Sequence, residues 1–201
     1  MKHTNVIKPR NPDEWRILTA ASKTFLEKGF TATTMTDLVA ATGLNRATLY
    51  SGYGSKHQIY IMSMEFLRTE MRSEWESVLT LEPSPTRRLS SILTALIDTA
   101  PHLTDGDFYT RAALELGDDP ATAQRIIEFW QQLHTDVSEL CKRAQVSGQL
   151  AEHADPDSIA AMVVSLIQGV YVNRSIDAAQ QLNLDSKPGS ASRGLVELLE
   201  S

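Results

Sequence analysis

The chain has 201 residues, of which 42% are hydrophobic, 22% charged and 6% aromatic, enough for one large core or two small ones. Lys and Arg number 19 against 25 Asp and Glu, a formal charge of -6 that taken alone argues against a nucleic-acid partner. The single cysteine, Cys141, excludes an intrachain disulfide, a zinc ribbon and a dithiol redox motif.

The average charge conceals an asymmetry. Residues 1–56 carry 8 basic side chains against 4 acidic ones, a charge of +4, and the remainder carries 11 against 21, a charge of -10. A basic head on an acidic body points to a polyanion facing the head. Residues 1–11 contain no apolar stretch of signal-peptide length. The most apolar run, residues 159–172, is interrupted by Ser165, Gln168 and Gly169 and falls short of the ~20 residues of a bilayer span. The expectation is a soluble, cytoplasmic chain without a membrane partner.

In chain order, helix punctuation recurs and strand alternation does not, so the expected fold class is all-α. Asn11-Pro12-Asp13-Glu14 reads as a cap, a proline at the first helical position and a reciprocal carboxylate. The helix it opens stripes Ile17, Leu18, Ala21 and Phe25, and is expected to stop at Gly29, with Phe30 folding back on Phe25. Thr34-Met35-Thr36-Asp37 is a second capping box, for a short helix through Leu38, Val39 and Ala41 that ends at Gly43. Asn45 can cap another helix only two residues later, with Leu44 stapled to Leu49. Two short helices around the tight turn Gly43-Leu44-Asn45 make a helix-turn-helix. Ser55, with Gln58 three residues on, opens a long helix to about Leu79 that carries Ile59, Met62, Phe66, Leu67, Met71, Trp75 and Val78.

Beyond it, residues 82–85 (Glu-Pro-Ser-Pro) read as a stiff connector into the acidic body. Leu89, Ile92, Leu93, Leu96 and Ile97 stripe a helix that ends before Pro101, and a short helix is expected from about Asp105 to Leu116. Asp119-Pro120 opens a long helix whose inner face is read as Ile126, Ile127, Trp130, Leu133, Val137, Leu140 and Cys141, ending near Gly148. Asp155-Pro156 opens the next, through Ile159, Met162, Val163, Leu166, Ile167 and Val170. Its apolar residues cover more than one face, which points to burial on two sides and contact with a second subunit. After a polar stretch from Asp185 to Ser192, a final short helix runs through Leu195, Val196, Leu198 and Leu199.

The run Ile17-Leu18-x-Ala20-Ala21, then Phe25-x-x-Lys28-Gly29-Phe30, Thr33-Thr34-Met35, Asp37-Leu38, Gly43-Leu44, Thr48-Leu49-Tyr50-x-x-Tyr53 and Ser55-Lys56 resembles the DNA-binding domain of TetR/AcrR-type transcriptional regulators. The resemblance is ordered and multi-point, and covers roughly a quarter of the chain. It implies an N-terminal three-helix helix-turn-helix domain over residues 11–57 and a larger helical effector-binding and dimerisation domain over residues 58–201. The second is the variable part of such proteins and names no ligand.

The resemblance also implies that the helix from Arg46 to Tyr53 enters the major groove, whose ~12 Å width admits one helix. Arg46, Ala47, Thr48, Tyr50, Ser51 and Tyr53 are placed at that surface. Arg46 is the candidate for base readout, because a guanidinium bonds guanine O6 and N7 together. Thr48 and Ser51 suit a base edge or a phosphate, and Tyr50 and Tyr53 suit phosphates. The chain departs from the family at Gly52, where a large polar residue is common, and at Tyr53, where Phe is common. Thr33, Thr34 and Lys56 lie at or beside helix N-termini, where free amides favour an anion, and are candidate phosphate clamps. Each has a plainer reading beside it: Thr34, Asn45 and Ser55 are caps, Tyr50 is a packing residue, and the basic residues Lys2 to Arg10 form a solvated arm.

Candidate effector contacts in the body are Met71, Trp75, Tyr109, Arg111, Trp130, His134 and Gln168, chosen for aromatic or polar tips at inner-face spacing. The rival reading makes Trp75, Trp130 and Met71 plain core, and Arg111 and His134 surface or helix-paired groups. Candidate dimer contacts are Ile159, Met162, Val163, Leu166, Val170, Leu195, Leu198 and Leu199. Cys141 on an apolar helical face reads as inert core.

Nothing supports catalysis. Gly52-Tyr53-Gly54-Ser55-Lys56 lacks the spacing of a phosphate loop, and no Gly-x-Ser-x-Gly elbow occurs. His102, His134 and His153 have no partner at metal-binding spacing. Glu115, Asp118 and Asp119 read as a helix end and the next helix's cap. No enzyme activity and no cofactor are expected. The expectation is a homodimeric repressor of a palindromic double-stranded DNA operator, released by an unidentified small-molecule effector. The alternatives are a helical small-molecule-binding protein and an effector-independent DNA-binding protein.

Overall fold

The structure, a computed structural model, describes residues 12–81, 84–94 and 105–174, and those residues hold eight helices and no strand. They are α1 (Pro12–Ala32), α2 (Met35–Thr42), α3 (Arg46–Tyr53), α4 (Lys56–Leu81), α5 (Pro85–Leu93), α6 (Asp105–Leu116), α7 (Pro120–Val146) and α8 (Pro156–Arg174). The expected Asn11 cap, the arm from Lys2 to Arg10, the helix end at Leu96 and Ile97 and the final helix at Leu195–Leu199 lie outside the described residues.

Local chemistry sets most boundaries. The Thr34 hydroxyl accepts from the Asp37 amide while the Asp37 carboxylate accepts from the Thr34 amide, closing a capping box at the start of α2. Gly43, with φ 72°, ends α2 in the left-handed conformation that a side chain would penalise. Asn45 caps α3 through Thr48 N at 2.8 Å, and Asp119 caps α7 through Thr122 N at 2.8 Å. Ser55 and Gln58 exchange bonds at the start of α4, as the sequence pattern required.

The first helix breaks at Gly29, as its sequence position leads one to expect, with φ 78° and ψ 171°, and a short helical turn follows the kink to Ala32. Two features differ from the sequence expectations. Pro85 belongs to α5, as its first residue behind the Ser84 cap, rather than to a connector. The inner face of α7 runs through Phe129, Leu133, Val137, Leu140 and Cys141, whereas Ile127 is 49% exposed. Ile127 lies about 200° around the helix from Phe129 at 3.6 residues per turn, so the two cannot share a face.

α1 packs on α2, α4 and α6, α3 on α2, and α7 along α8, with α5 and α6 also seated on α7. The buried apolar cluster runs without a break from Leu18 and Leu49 to Val163 and Tyr171. Its junction is aromatic: Phe25 of α1 and Phe108 of α6 both meet Tyr60 of α4, at 4.9 and 4.8 Å between ring centres. Each such pair adds ~0.5–1.5 kcal/mol beyond its buried area, so α1 and α4 are packed against the body through α6.

Candidate nucleic-acid interface

α3 turns one side inward and leaves the rest in solvent. Leu49 is fully buried and half-buried Tyr53 packs on the core, whereas Arg46, Ala47, Thr48, Tyr50 and Ser51 are exposed. The Arg46 guanidinium stands over the Tyr50 ring, 5.7 Å from its centre, so a cation–π contact one turn apart biases the guanidinium's position. Ser51 Oγ donates to the Thr48 carbonyl at 3.2 Å. Arg16 of α1 donates to the Thr42 carbonyl at the end of α2, tying the two-helix unit to its scaffold.

The candidate clamps occupy different environments. Thr33 is buried and its hydroxyl donates to the Gly29 carbonyl at 2.6 Å, so that group is directed inward. Thr34 is exposed and occupied as a cap. Lys56 Nζ donates to the carbonyls of Phe30 and Thr33 at 2.8 and 2.9 Å and lies over the Phe30 ring. Lys28 donates to Asp37 at 2.6 Å, and that contact, with the Thr34 bonds, holds the Asp37 carboxyl well below the usual carboxylate range.

The candidate effector residues divide between two spaces and the packed interior beside them. Met71 lies against a cavity of about 20 Å³ between α4 and α7, with Arg68, Phe129 and Asp136. That volume holds about one water. Trp130 and His134 line an open groove of about 560 Å³ between α7 and α8. Tyr109 is buried, stacked on Phe129 at 3.9 Å, with its hydroxyl donating to the Met64 carbonyl. Arg111 reaches out of the body and donates to the Leu26 carbonyl at 2.6 Å. Gln168 is half-buried and lines neither space, and the side chain of Trp75 lies outside the described residues. Inner-face spacing selects residues on four helices: Met71, Tyr109 and Trp130 gather around Phe129, and no single cavity takes in all of the candidates.

Of the candidate dimer residues, Ile159 and Val163 are buried in the chain's own core, and Val170 is half-buried against it. Met162 and Leu166 are 52% and 36% exposed. Thus the second apolar face of α8 exists but consists of Met162 and Leu166, one helical turn apart, not of the whole set.

Buried charge was missed by sequence reasoning. Glu65 is 5% exposed and meets two guanidiniums, Arg68 at 2.7 Å and Arg125 at 2.9 Å. Arg68 at the i+3 position was readable in the sequence, but the partner from α7 was not. Among the described residues, no group of three His, Cys, Asp or Glu could hold a metal ion, and no helix is long and apolar enough to cross a membrane.

A three-helix unit that exposes one helix behind a tight turn, borne on a helical body, defines a helix-turn-helix DNA-binding protein. Residues 17–61 match the family of bacterial regulatory proteins described as the tetR family, and residues 85–188, just over half of the chain, match the C-terminal part of BetI-type transcriptional repressors. The chain belongs to the TetR family of transcriptional regulators. It is 25% identical over 171 residues to the HTH-type transcriptional repressor ComR of Escherichia coli strain K12, covering 83% of this chain and 81% of ComR. A TetR-family regulator from Agrobacterium tumefaciens shares its fold at a TM-score of 0.77 and 16% identity, covering 95% of this chain and 100% of that one. The regulator CifR, in complex with a 26bp double-strand operator DNA, matches at a TM-score of 0.73 and 18% identity, over 96% and 97%. A regulator from Saccharomonospora viridis in complex with choline matches at 0.74 and 17%, over 92% and 91%.

Proposed function

We propose that this regulator is a homodimeric, ligand-responsive repressor that reads a palindromic operator through α3. The observation that carries the reading is the division of α3: Leu49 anchors the helix in the core while Arg46, Ala47, Thr48, Tyr50 and Ser51 form one exposed face. On this reading residues 11–57 are the DNA-binding domain and residues 58–201 bind the effector and the partner subunit. Arg46 reads a base edge, Thr48 and Ser51 a base edge or phosphate, and Tyr50 and Tyr53 phosphates. Lys56 serves phosphate binding by shaping the turn after α1 as well as by its charge. Met162 and Leu166 form the part of the partner surface that α8 supplies.

Release by an effector requires a ligand that binds one arrangement of the heads better than another. The cavity between α4 and α7 is about 20 Å³, so an effector there must open it and thereby move α4, the helix that continues into the head. The open groove of about 560 Å³ between α7 and α8, lined by Trp130 and His134, is the other candidate space; the second reading is a DNA-binding repressor without an effector switch.

Selection of binding sites from random duplex DNA by the full chain, repeated with a metabolite panel that begins with choline, tests both readings. Recovery of a two-fold symmetric site, bound by a dimer and released by one metabolite, is the expected result. Sites without symmetry, or a monomeric mass at micromolar concentration, overturn the homodimer. Symmetric sites insensitive to the whole panel favour the effector-independent repressor.

A further inference from the structure

The helix-turn-helix unit and the body are joined by α4, by the aromatic junction, and by three polar contacts that neither accounts for. Arg111 and Glu115 stand four residues apart on α6, hence on one face, and both reach to α1. The Arg111 guanidinium donates to the Leu26 carbonyl at 2.6 Å, in the last turn before the kink, where helical carbonyls lack an intrahelical partner. The Glu115 carboxylate accepts from the Thr31 amide at 2.8 Å, just past the kink. Gly29 between them is positioned for this: a Cβ there would stand 2.3 Å from Glu115 Oε1, and its φ is +78°. The third contact comes from the turn after α6. Asp119 Oδ2, fixed to the first turn of α7 by Thr122 N and Oγ1 at 2.8 Å, lies 3.0 Å from His57 Nε2 in the first turn of α4.

We propose that Glu115, with Arg111 and Asp119, forms a positioning clamp that fixes the angle of the head on the body and so determines which spacing between half-sites the protein accepts. The proposal rests on the two-half-site reading above. A head held only by α4 and the aromatic junction, whose apolar contacts are non-directional, could still roll about that helix. Anchors on α1 before the kink, on α1 after it and on α4 remove that freedom. Each inserted base pair turns one half-site by ~34° and moves it by ~3.4 Å. A head that cannot roll must meet the displaced half-site with strain or lose contacts, whereas a head free to roll can follow it. None of the three clamp residues belongs to the α3 face, so the clamp acts on spacing and not on base identity.

The test compares the full-length protein with Glu115→Ala, Glu115→Gln and Arg111→Met on three duplexes: the site selected by the unaltered protein, that site with two base pairs inserted at its centre, and a single half-site. Thermal melting checks that each variant is folded. For the unaltered protein the insertion weakens binding strongly. In Glu115→Ala and Arg111→Met the penalty for the insertion falls by ~3- to 30-fold, affinity for the single half-site is unchanged, and Glu115→Gln, which still offers an acceptor to Thr31, keeps most of the discrimination. Folded Glu115→Ala and Arg111→Met variants with the unaltered spacing penalty overturn the clamp while leaving the repressor reading intact. A loss of half-site affinity equal to the loss on the full site also overturns it, since that is the mark of a damaged head. Unaltered protein that is indifferent to the insertion overturns the two-half-site reading, and the clamp with it. Should Glu115→Ala fail to fold, Arg111→Met decides.

Discussion

Lys56 grips Phe30 twice, by a hydrogen bond from Nζ to the Phe30 carbonyl at 2.8 Å and by standing over the Phe30 ring, 4.2 Å from its centre. With the bond to Thr33, this makes a basic residue of the expected phosphate surface a strut between α4 and the turn before α2. Lys56→Met is therefore expected to lower the stability of the protein by ~1–2 kcal/mol, the lower part of the range for hydrogen bonds to a charged group because the site is half-exposed. Urea denaturation measures it. A variant of unchanged stability with a flatter salt dependence of DNA binding would reduce Lys56 to a phosphate contact alone.

Arg46→Ala removes the one guanidinium on the exposed face of α3 and frees the Tyr50 ring that it covers. Operator binding is expected to weaken by ~1–3 kcal/mol, with relaxed preference at one base position per half-site. Fluorescence anisotropy on a set of single-base operator variants reads both effects. Uniform weakening across the set would move Arg46 to the phosphate-contacting group.

Met162 and Leu166 are large apolar residues on the solvent side of α8, whereas Ile159, Val163, Ile167 and Tyr171 are buried and Val164 and Val170 half-buried. The double substitution Met162→Asp with Leu166→Asp is expected to shift the protein to a monomer in sedimentation at micromolar concentration. Its helical signal should be retained, since neither side chain supports the core. A dimer of unchanged mass would place the partner surface elsewhere.

Stability at acid pH follows from three capping carboxylates. Asp37 is held below the usual carboxylate range by Lys28 and Thr34, Asp119 by Thr122 and then His57, and Asp155 by Ser158. Each binds its proton less readily when folded, so its contribution is complete above the unfolded value of about 3.9 and is lost as pH falls below it. Asp136 has the opposite sign: burial raises its pKa, and acid relieves part of that penalty. With three groups against one, the melting temperature is expected to fall steeply below about pH 4. Asp37→Asn combined with Asp155→Asn should flatten the decline, and an equally steep profile would assign acid sensitivity to other groups.

Cys141 is buried in α7 and burial pushes its thiol up to about 11. The thiolate is the reactive species, so iodoacetamide at about pH 8 should label the folded protein slowly and the urea-unfolded protein completely. Rapid labelling of the folded protein would show that α7 opens far more often than its packing implies.

Much of the helix-turn-helix was legible because its signals are local. A cap and its partner are three residues apart, and Thr34 with Asp37, Asn45 with Thr48, and Ser55 with Gln58 all formed the bonds that their spacing implied. Phe30 also folds back on Phe25, at 6.4 Å between rings. The faces of α7 and α8 were less legible. An apolar residue at helical spacing, such as Ile127, satisfies the periodicity whether it meets a neighbour or water, and periodicity does not rank Ile127 against Phe129.

The sequence by itself determined where most of the described helices begin, that a helix-turn-helix lies near the amino end, and that charge divides into a basic head and an acidic body. Capping, proline placement and charge need only near neighbours or a count. Only the tertiary structure decided that Arg111 leaves the body for the Leu26 carbonyl, that Glu115 and Asp119 are more than a helix end and a cap, and that Glu65 meets Arg125. Those contacts join residues about sixty to eighty-five positions apart. A long polar side chain has many possible partners, and the packing of α1, α4, α6 and α7 selects the one within reach.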